Sequence, residues 1–438
     1  MLPRPLLQSP DRKRQRACSV VASLVAITRR KQEGPPLDTM SRYTLISADG
    51  HAGGSPDQYR TYLEAQYLEQ FDEWRGRYRN PFRDLQNDGR TRNWDSDLRL
   101  NDLHADGVVA EVLFPNTIPP FFPTGAIIAP APAAHDFDLR LAGLRAHNRW
   151  LADFCSAAPN QRAGLAQILL NDVDAALDDV RWAKQNGLAG ILLPGVSPDT
   201  PWIDPLFSRK YDPLWALCEE LSLPITHHAG GSGVPNYGRH EAATAVFVLE
   251  TTFFANRALW HLTMAGVFER FPKLRFVLTE QGCAWVPPVL KRMDGLHDQM
   301  VNGRIGELVV AADSVLPERP STYFARNCYV GASFPSLADA DSMRTIGIDR
   351  IMWGSDYPHH EASSPFTKES LQLAFCDFTP AELRITLGAT AADVYGFDLE
   401  ALAPDAALYG PTVGEVATPL TEIPAAATSP AFAGGLRA

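Results

Sequence analysis

The segment IMWGSDYPHH, residues 351–360, predicts a short apolar strand that ends at Asp356 and leads directly into a turn with two histidines. A carboxylate at the mouth of a buried strand is costly unless another group pairs with it. At the end of an isolated strand, such an aspartate is more often only a cap of the following turn. The pattern gains weight because two other apolar segments of the chain end in the same way.

These segments are ISADGH, which delivers Asp49 and His51, and LPITHHAG, which delivers His227 and His228. Three apolar strands that end in Asp or His are what a metal site at the C-terminal face of a parallel barrel requires. Adjacent strand residues point to opposite faces, so only one of His227 and His228 can face the site. We expect it to be His228, which precedes the glycines at the end of the strand.

Apolar strand patterns alternate with helical patterns along the chain. The predicted strands span residues 43–47, 108–115, 162–170, 189–194, 223–229, 274–279, 327–332 and 350–355. Strands that alternate with helices predict a parallel sheet, and eight of them predict a closed (β/α)₈ TIM barrel over residues 41–400. Glu280 follows the sixth predicted strand, so it joins the other strand-end residues at one face.

Four segments lie outside the barrel repeat. In residues 1–40, basic clusters flank a short apolar run; we expect a disordered extension before the natural start at Met40, with a targeting segment as the alternative. Residues 55–97 predict helices and loops inserted after the first strand, over the barrel mouth. Residues 117–134 predict a Pro/Ala-rich loop long enough to be a lid or an interface. Residues 401–438, rich in Ala, Pro and Thr, predict a tail that wraps a neighbour or stays disordered.

The composition is that of a soluble globular protein, with 45% hydrophobic and 21% charged residues. The formal net charge of −11 argues against nonspecific nucleic-acid binding, which depends on basic patches. No apolar run approaches the ~18 residues that cross a bilayer. The six cysteines are scattered without a C-x-x-C pair, which favours a reducing, cytoplasmic compartment. We therefore expect a small-molecule substrate, with neither nucleic acid nor membrane as a partner.

The strand-end residues belong to longer motifs that resemble a known family. The matching motifs are Asp49-Gly50-His51, Asn148-Arg149-Trp150, Leu223-Pro224, His228-Ala229-Gly230, Phe271-Pro272-Lys273-Leu274-Arg275, Glu280-Gln281-Gly282 with Trp285, and Trp353 to His359. Together they resemble the amidohydrolase-related family of metal-dependent TIM barrels, in the branch of aminocarboxymuconate-semialdehyde decarboxylase and the resorcylate-type decarboxylases. The resemblance covers about Tyr43 to Asp398.

The resemblance implies one divalent metal ion held by Asp49, His51, His228 and Asp356. We expect Zn²⁺, with Mn²⁺ or Fe²⁺ as alternatives, because imidazole with carboxylates suits these ions better than Ca²⁺. Binuclear members of the wider superfamily use a lysine of strand four to bridge two metals. The corresponding residues 190–194 contain no lysine, which favours a single ion.

Three features depart from the family pattern. The first-strand motif is Asp-x-His where relatives have His-x-His, so one ligand is a carboxylate. Many relatives carry an acid/base histidine at the end of strand six, and this chain has Glu280 there. The closing motif reads Gly388-Ala389-Thr390 where an asparagine usually follows the glycine. We expect the first two departures to affect the metal and proton transfer, and the third only local packing.

Two chemistries stay open, with a slight preference for the first. In a decarboxylase, the metal would hold the substrate carboxylate while a protonated side chain delivers a proton to carbon. In a hydrolase, Asp356 would take a proton from water and Glu280 would assist the leaving group. The catalytic candidates are Glu280, Asp356 and His228.

Candidates for substrate binding are the two arginines that follow strand five, Arg239 and Arg257, and His359 in the turn after Asp356. A homodimer is possible by analogy with relatives. The alternative from another class is a catalytically inactive barrel that serves as a binding or assembly subunit. An unused cluster of buried carboxylates and imidazoles would be costly to fold, which argues against that alternative.

Overall fold

In the computed structural model, the described residues are 41–77, 88–230 and 232–436, so the prediction for residues 1–40 lies outside them. Eight strands form one parallel sheet in sequential order. They are β1 (Ile46–Ala52), β2 (Ala110–Pro115), β3 (Arg162–Gln167), β4 (Gly190–Leu192), β5 (Ile225–His228), β6 (Phe276–Thr279), β7 (Cys328–Ser333) and β8 (Ile351–Gly354). Each predicted barrel strand overlaps one of these observed strands. The overlap is smallest for the first, which reaches only the beginning of β1.

The first and last strands meet and complete the barrel. Gly50 forms a parallel bridge with Tyr357. The backbone N–H of Asp356 donates to Asp49 O at 2.9 Å, and that of His51 donates to Tyr357 O at 2.7 Å. The predicted TIM barrel is therefore confirmed, and the seam that closes it contains three of the predicted metal ligands.

Helices connect and cover the strands. They are α1 (Pro56–Tyr62), α2 (Leu68–Arg77), α3 (Ser96–Ala105), α4 (Phe137–Ser156), α5 (Val173–Gln185), α6 (Asp212–Glu220), α7 (Ala243–Met264), α8 (Val267–Arg270), α9 (Val286–Val301), α10 (Pro320–Asn327), α11 (Leu337–Ile346), α12 (Thr367–Phe375), α13 (Pro380–Arg384), α14 (Thr390–Tyr395), α15 (Leu399–Tyr409) and α16 (Val413–Val416). A short hairpin, Arg304–Ile305 with Leu308–Val309, follows α9 and was not predicted. None of the described helices combines the length and apolar character that a bilayer crossing requires.

Local sequence explains why these elements begin where they do. Asp172 is the N-cap of α5 and accepts hydrogen bonds from Asp174 N and Ala175 N. Ser336 and Asp339 form a reciprocal capping box at the start of α11. The apolar residues of the strands divide between two layers. One fills the barrel interior and the other packs against the helices, as strand alternation requires.

The C-terminal segment contains α15 and α16, so the disorder predicted for residues 401–438 is wrong up to residue 436, and wrapping of a neighbour stays a prediction. Asp398 caps α15, and Leu402 on this helix packs with the apolar residues of the barrel interior cluster. The backbone N–H of Tyr43 donates to Pro411 O at 2.9 Å. Val413 joins the main core. A few well-spaced apolar residues therefore hold a segment whose average composition suggested a tail.

The loop at residues 117–134 covers the barrel mouth beside β3 and β4 without regular strand or α-helix. Three side chains from neighbouring elements hold its carbonyl groups. Arg140 donates to Pro130 O at 3.1 Å, while Asn171 and Trp202 donate to Pro132 O at 2.8 and 2.9 Å. The loop is thus fastened at its C-terminal end.

Candidate metal centre

Asp49 and His51 are positioned by an irregularity in β1. Its register with β2 shifts between Ser47 and Gly50, and a bulge of this kind re-aims the side chains it carries. Gly50 lies within β1, which is continuous through this residue. The glycine is needed for a close approach: a Cβ at this position would lie 2.8 Å from Glu111 Oε2.

The four predicted ligands Asp49, His51, His228 and Asp356 lie together at the C-terminal face, and we call them the four-residue cluster. His51 Nε2 lies 3.4 Å from Asp49 Oδ1 and 3.1 Å from Asp356 Oδ1. His228 Nε2 lies 3.3 Å from Asp49 Oδ1. All four residues are at most 1% exposed. The barrel therefore brings two imidazoles and two carboxylates into one buried group.

Asp49 is held so that one of its oxygens faces the histidines. Ser333, at the end of β7, donates a hydrogen bond to Asp49 Oδ2. A Cβ at Gly354 would lie 2.7 Å from Asp49 Cβ, so any larger residue at this position would clash with Asp49. Oδ1 is left to face His51 and His228. The sequence analysis missed Ser333, because a serine at a strand end carries no distinctive signal.

Glu280 lies beside the four-residue cluster, directly after β6. Its Oε2 is 3.3 Å from His228 Nδ1, and its side chain is 14% exposed. Glu280 and Asp356 both have left-handed backbone, with φ of 57° and 64°. Such strain costs about 1–3 kcal/mol per residue and persists where the surrounding structure enforces it, most often at functional sites. Two strands therefore end in a strained carboxylate at this face.

The protein alone does not satisfy all the polar atoms of this group. His51 Nε2, His228 Nδ1, Asp356 Oδ2 and Glu280 Oε2 are buried and accept or donate no hydrogen bond among the described residues. Two buried carboxylates beside each other are costly without a balancing positive charge. Imidazole nitrogens and carboxylate oxygens are ligands of Zn²⁺, Mn²⁺ and Fe²⁺. The donor set of the four-residue cluster therefore fits one divalent cation.

The neighbouring charges shift the pKa values of the group in opposite directions. Burial raises the pKa of Asp49, but His228 and His51 outweigh it and hold that pKa well below its usual value. Burial lowers the pKa of His51, but the adjacent carboxylates of Asp356 and Asp49 raise it well above the usual value. Burial and the two aspartates raise the pKa of Glu280. The electrostatics thus favour a positive charge between Asp49 and Asp356.

His359, predicted to bind substrate, contacts Asp356. Its Nδ1 lies 2.9 Å from Asp356 Oδ1, and its Nε2 lies 3.1 Å from Asn116 Oδ1. Its ring packs against that of His51, with centroids 4.1 Å apart. His359 also borders a cavity of about 480 Å³ between the β8 loop and the C-terminal segment. Its contacts therefore fit the orientation of Asp356, and a role toward substrate stays a prediction.

A buried ion pair contacts the backbone of β1. Arg99 and Glu111 are at most 1% exposed and form two hydrogen bonds of 2.6 Å. Arg99 also donates to the carbonyl oxygen of His51 at 2.8 Å. Sequence reasoning missed this pair, because the two residues lie on different elements and belong to none of the motifs.

The other predicted site residues are placed elsewhere. His227 faces away from the cluster, with Nδ1 3.1 Å from Leu193 O, and burial lowers its pKa to about 4. Arg239 is exposed and forms no hydrogen bond or ion pair among the described residues. Arg257 is half-buried on α7, with its guanidinium carbon 5.2 Å from the ring centroid of Phe254. The structure thus brings neither arginine into contact with the four-residue cluster.

Known proteins resemble this chain in sequence. The γ-resorcylate decarboxylase of Rhodococcus jostii strain RHA1 is 29% identical over 229 residues, which cover 49% of this chain and 65% of that protein. The match thus spans slightly less than two thirds of the length of that relative.

Solved structures share the fold. The 5-carboxyvanillate decarboxylase of Sphingomonas paucimobilis has a TM-score of 0.59 and 20% identity, covering 81% of this chain and 100% of that one. The 5-carboxyvanillate decarboxylase of Novosphingobium aromaticivorans DSM 12444, solved with manganese and 4-hydroxy-3-methoxy-5-nitrobenzoic acid, has a TM-score of 0.59 and 18% identity. It covers 82% of this chain and 99% of its own. At these identities the likeness shows a common fold.

The family model described as amidohydrolase matches residues 119–397. This range contains His228, Glu280 and Asp356, whereas Asp49 and His51 precede it. The match spans more than half of the chain and includes six of the eight barrel strands. The chain belongs to the amidohydrolase family.

Proposed function

We propose that this protein is a metal-dependent, non-oxidative decarboxylase, a carboxy-lyase that acts on a small aromatic carboxylate. The observation that carries the proposal is the buried four-residue cluster with the partly exposed Glu280 beside it. The names of the relatives support this choice over hydrolysis, since they are decarboxylases of resorcylate and carboxyvanillate.

Asp49, His51, His228 and Asp356 are the residues that would hold one divalent cation. When bound, the cation supplies a positive charge that polarises substrate oxygens. We retain Zn²⁺ as the expected ion, with Mn²⁺ or Fe²⁺ as alternatives; the manganese in the Novosphingobium structure favours testing Mn²⁺ equally. Elemental analysis of the purified protein, followed by reconstitution with each ion, identifies the metal.

Glu280 is the acid that we assign. Its carboxyl lies beside the cluster and has the exposure that contact with a substrate requires. As CO₂ leaves, the bond between the carboxyl carbon and the ring carbon breaks, and its electron pair stays on the ring carbon. That carbon then takes the proton from the carboxyl group of Glu280. His228, 3.3 Å away, fixes the position of the carboxyl.

The hydrolase alternative uses the same residues differently. Asp356 would take a proton from water and Glu280 would protonate the leaving group. The two chemistries separate in one experiment on the metal-loaded protein. CO₂ release and ester or amide cleavage are measured on a panel of aromatic and unsaturated acids and their derivatives. Cleavage without CO₂ release would replace our proposal with the hydrolase.

The inactive-barrel alternative is separated by metal content. A binding or assembly subunit does not need the cation, whereas the decarboxylase does. Sub-stoichiometric metal that is unchanged by Asp356→Ala, together with no turnover of any acid in the panel, would favour the inactive barrel.

For the assembly state, we propose a homodimer through the first half of α7. Val248, Leu249 and Phe253 on this helix are 65%, 78% and 56% exposed. Adjacent exposed apolar side chains mark interaction surfaces. Sedimentation analysis tests the proposal: the wild-type protein is expected to be dimeric, and Leu249→Glu is expected to shift it toward monomer.

We also propose a cytoplasmic location. The five cysteines within the described residues form no disulfide, and four of them are buried. Unpaired buried cysteines are typical of reducing compartments. Fractionation of cells that express the native gene tests this, and recovery outside the cytoplasmic fraction would contradict it.

A further inference from the structure

A small cavity of about 40 Å³ lies under the 117–134 loop, above the ends of β3 and β4. Most of its wall is apolar, from residues such as Phe122, Leu169 and Leu192. Two long polar side chains interrupt this wall, Arg140 from α4 and Gln167 from β3. The volume exceeds the 10–15 Å³ or so that one water needs, so there is room for a group the size of a carboxylate.

Arg140 is a buried cation, and Asp136, a carboxylate whose charge raises the pKa of Arg140, does not form an ion pair with it. Arg140 is 6% exposed and forms no ion pair with the described carboxylates. Its Nη2 donates to Pro130 O at 3.1 Å, its guanidinium carbon lies 3.9 Å from the Phe122 ring centroid, and its buried Nε has no hydrogen-bond partner. Burial lowers its pKa to about 10, so it remains charged at neutral pH. A buried guanidinium with a free donor favours an anionic ligand.

Gln167 adds a second free donor to the same cavity. It ends β3, and its backbone N–H and C=O are both bound by the side chain of Asn148. Leu165, two residues earlier, belongs to the barrel interior, so strand alternation directs Gln167 toward the mouth. Gln167 is 4% exposed, and its Nε2 has no hydrogen-bond partner.

The cavity lies one side chain away from the candidate metal centre. Ile127 contributes to its wall. The same side chain would lie 3.2 Å from a Cβ at Gly230, a position 3.4 Å from both His228 Nδ1 and Glu280 Oε2. A ligand that reaches from the cluster into the cavity therefore displaces Ile127, which belongs to the loop at residues 117–134.

We propose that this cavity binds a second oxyanion of the substrate, a carboxylate remote from the one that is lost, through Arg140 and Gln167. The inference rests on the proposed function for the reacting end of the substrate. It gives the cationic role predicted for Arg239 and Arg257 to a buried arginine on another helix. The enzyme then prefers aromatic dicarboxylates over the matching monocarboxylates.

Calorimetry on the metal-loaded protein tests this with salicylate and its 4- and 5-carboxy derivatives. We expect at least one carboxysalicylate to bind about tenfold or more tightly than salicylate, the size expected for a charge-assisted hydrogen bond. Arg140→Met should reduce that preference to within about twofold, and Arg140→Lys should keep part of it. Arg145→Met is the matched control on the same helix, because Arg145 pairs with Asp179 at 2.7 Å and does not line the cavity.

If the wild-type protein shows no preference, or if Arg140→Met keeps it, the inference is overturned and Arg140 serves only to fasten Pro130. Should Arg140→Met fail to fold, Gln167→Met provides the same comparison, and an unchanged preference in that variant overturns the inference. CO₂ release is measured in parallel. CO₂ release without a preference leaves the proposed function standing without the inference, whereas a preference without CO₂ release from any acid supports the binding site and refutes the decarboxylase.

Discussion

The two sides of the barrel mouth differ in how their buried charges are satisfied. At the β1–β8 seam, His51 Nε2 lies 3.4 Å from Asp49 Oδ1 and 3.1 Å from Asp356 Oδ1, and both carboxylates raise the pKa of His51. On the β3–β4 side, Arg140 stands in an apolar wall and forms no ion pair with a described carboxylate. At the seam, several ionisable side chains are packed against one another. On the opposite side, Arg140 lies beside a small cavity. The first arrangement fits a cation, and the second fits an anion.

This difference separates reaction from recognition. Groups that act on the reacting atoms must be mutually positioned, so they come from strand ends held by the barrel hydrogen bonds. A residue that selects the substrate needs to contact only the part of the substrate remote from the reacting bond. Such a residue can lie on a helix or loop that covers the barrel mouth. The predictions below test this division, beginning with the change of largest expected effect.

Asp356→Ala should abolish both metal binding and CO₂ release, because it removes a carboxylate ligand and leaves His51 with one fewer acceptor. Metal content by elemental analysis and turnover of an aromatic acid measure the two effects. Asp349→Ala is the control, since Asp349 pairs with Arg350 at the surface. Full metal content in Asp356→Ala would remove this residue from the ligand set.

Glu280→Gln should lower kcat by about 10²–10⁴-fold, the usual contribution of a general acid, while metal content stays unchanged. Glutamine keeps the size and the hydrogen-bonding shape but carries no transferable proton at this site. The measurement is kcat with metal content determined on the same sample, and Glu220→Gln on the exposed end of α6 is the control. A variant that loses its metal instead would make Glu280 a ligand.

The sequence was sufficient to predict the barrel and the seam. Strand and helix patterns alternate regularly, and each polar residue of the cluster directly ends an apolar strand. Because carboxyl ends of parallel strands converge at one face, the proximity of Asp49, His228 and Asp356 followed from strand order alone. That argument needs no side-chain detail, and in the structure Asp49 contacts both His228 and His51, while His51 contacts Asp356.

Features that depend on packing between distant elements could not be predicted. Ser333 and the Arg99–Glu111 pair are recognisable only once β1, β2, α3 and β7 are adjacent. Arg140 resembles any helix arginine until the loop at residues 117–134 covers it. The C-terminal segment was misjudged because composition averages over residues, whereas burial depends on where a few apolar side chains fall. Strain at Glu280 has no local sequence signal at all.

Arg99→Met should destabilise the protein by about 3–5 kcal/mol, because it leaves the carboxylate of Glu111 buried without a partner. Arg99→Met with Glu111→Leu should recover much of the loss. Urea unfolding measures both. The exposed pair Arg60–Asp72, at 2.8 Å, is the control, and Arg60→Met should cost far less stability, because solvent screens the pair. If Arg99→Met and Arg60→Met lowered the free energy of unfolding equally, burial of the Arg99–Glu111 pair would not be what makes it important for stability.

The smallest effect concerns Asp106, the residue that follows α3, whose carboxyl accepts hydrogen bonds from the backbone N–H and the hydroxyl of Thr367. Burial raises the pKa of Asp106 from 3.8 to about 6, against hydrogen bonds from Thr367 that lower it. Because the folded-state pKa is the higher one, this group's stability contribution is full below pH 3.8 and is lost as pH rises through about 6. Relative to Asp106→Asn, the wild-type protein should lose about 1 kcal/mol between pH 5 and pH 8. Urea unfolding of both proteins at the two pH values measures this, and a difference independent of pH would show that the carboxylate is solvated rather than buried.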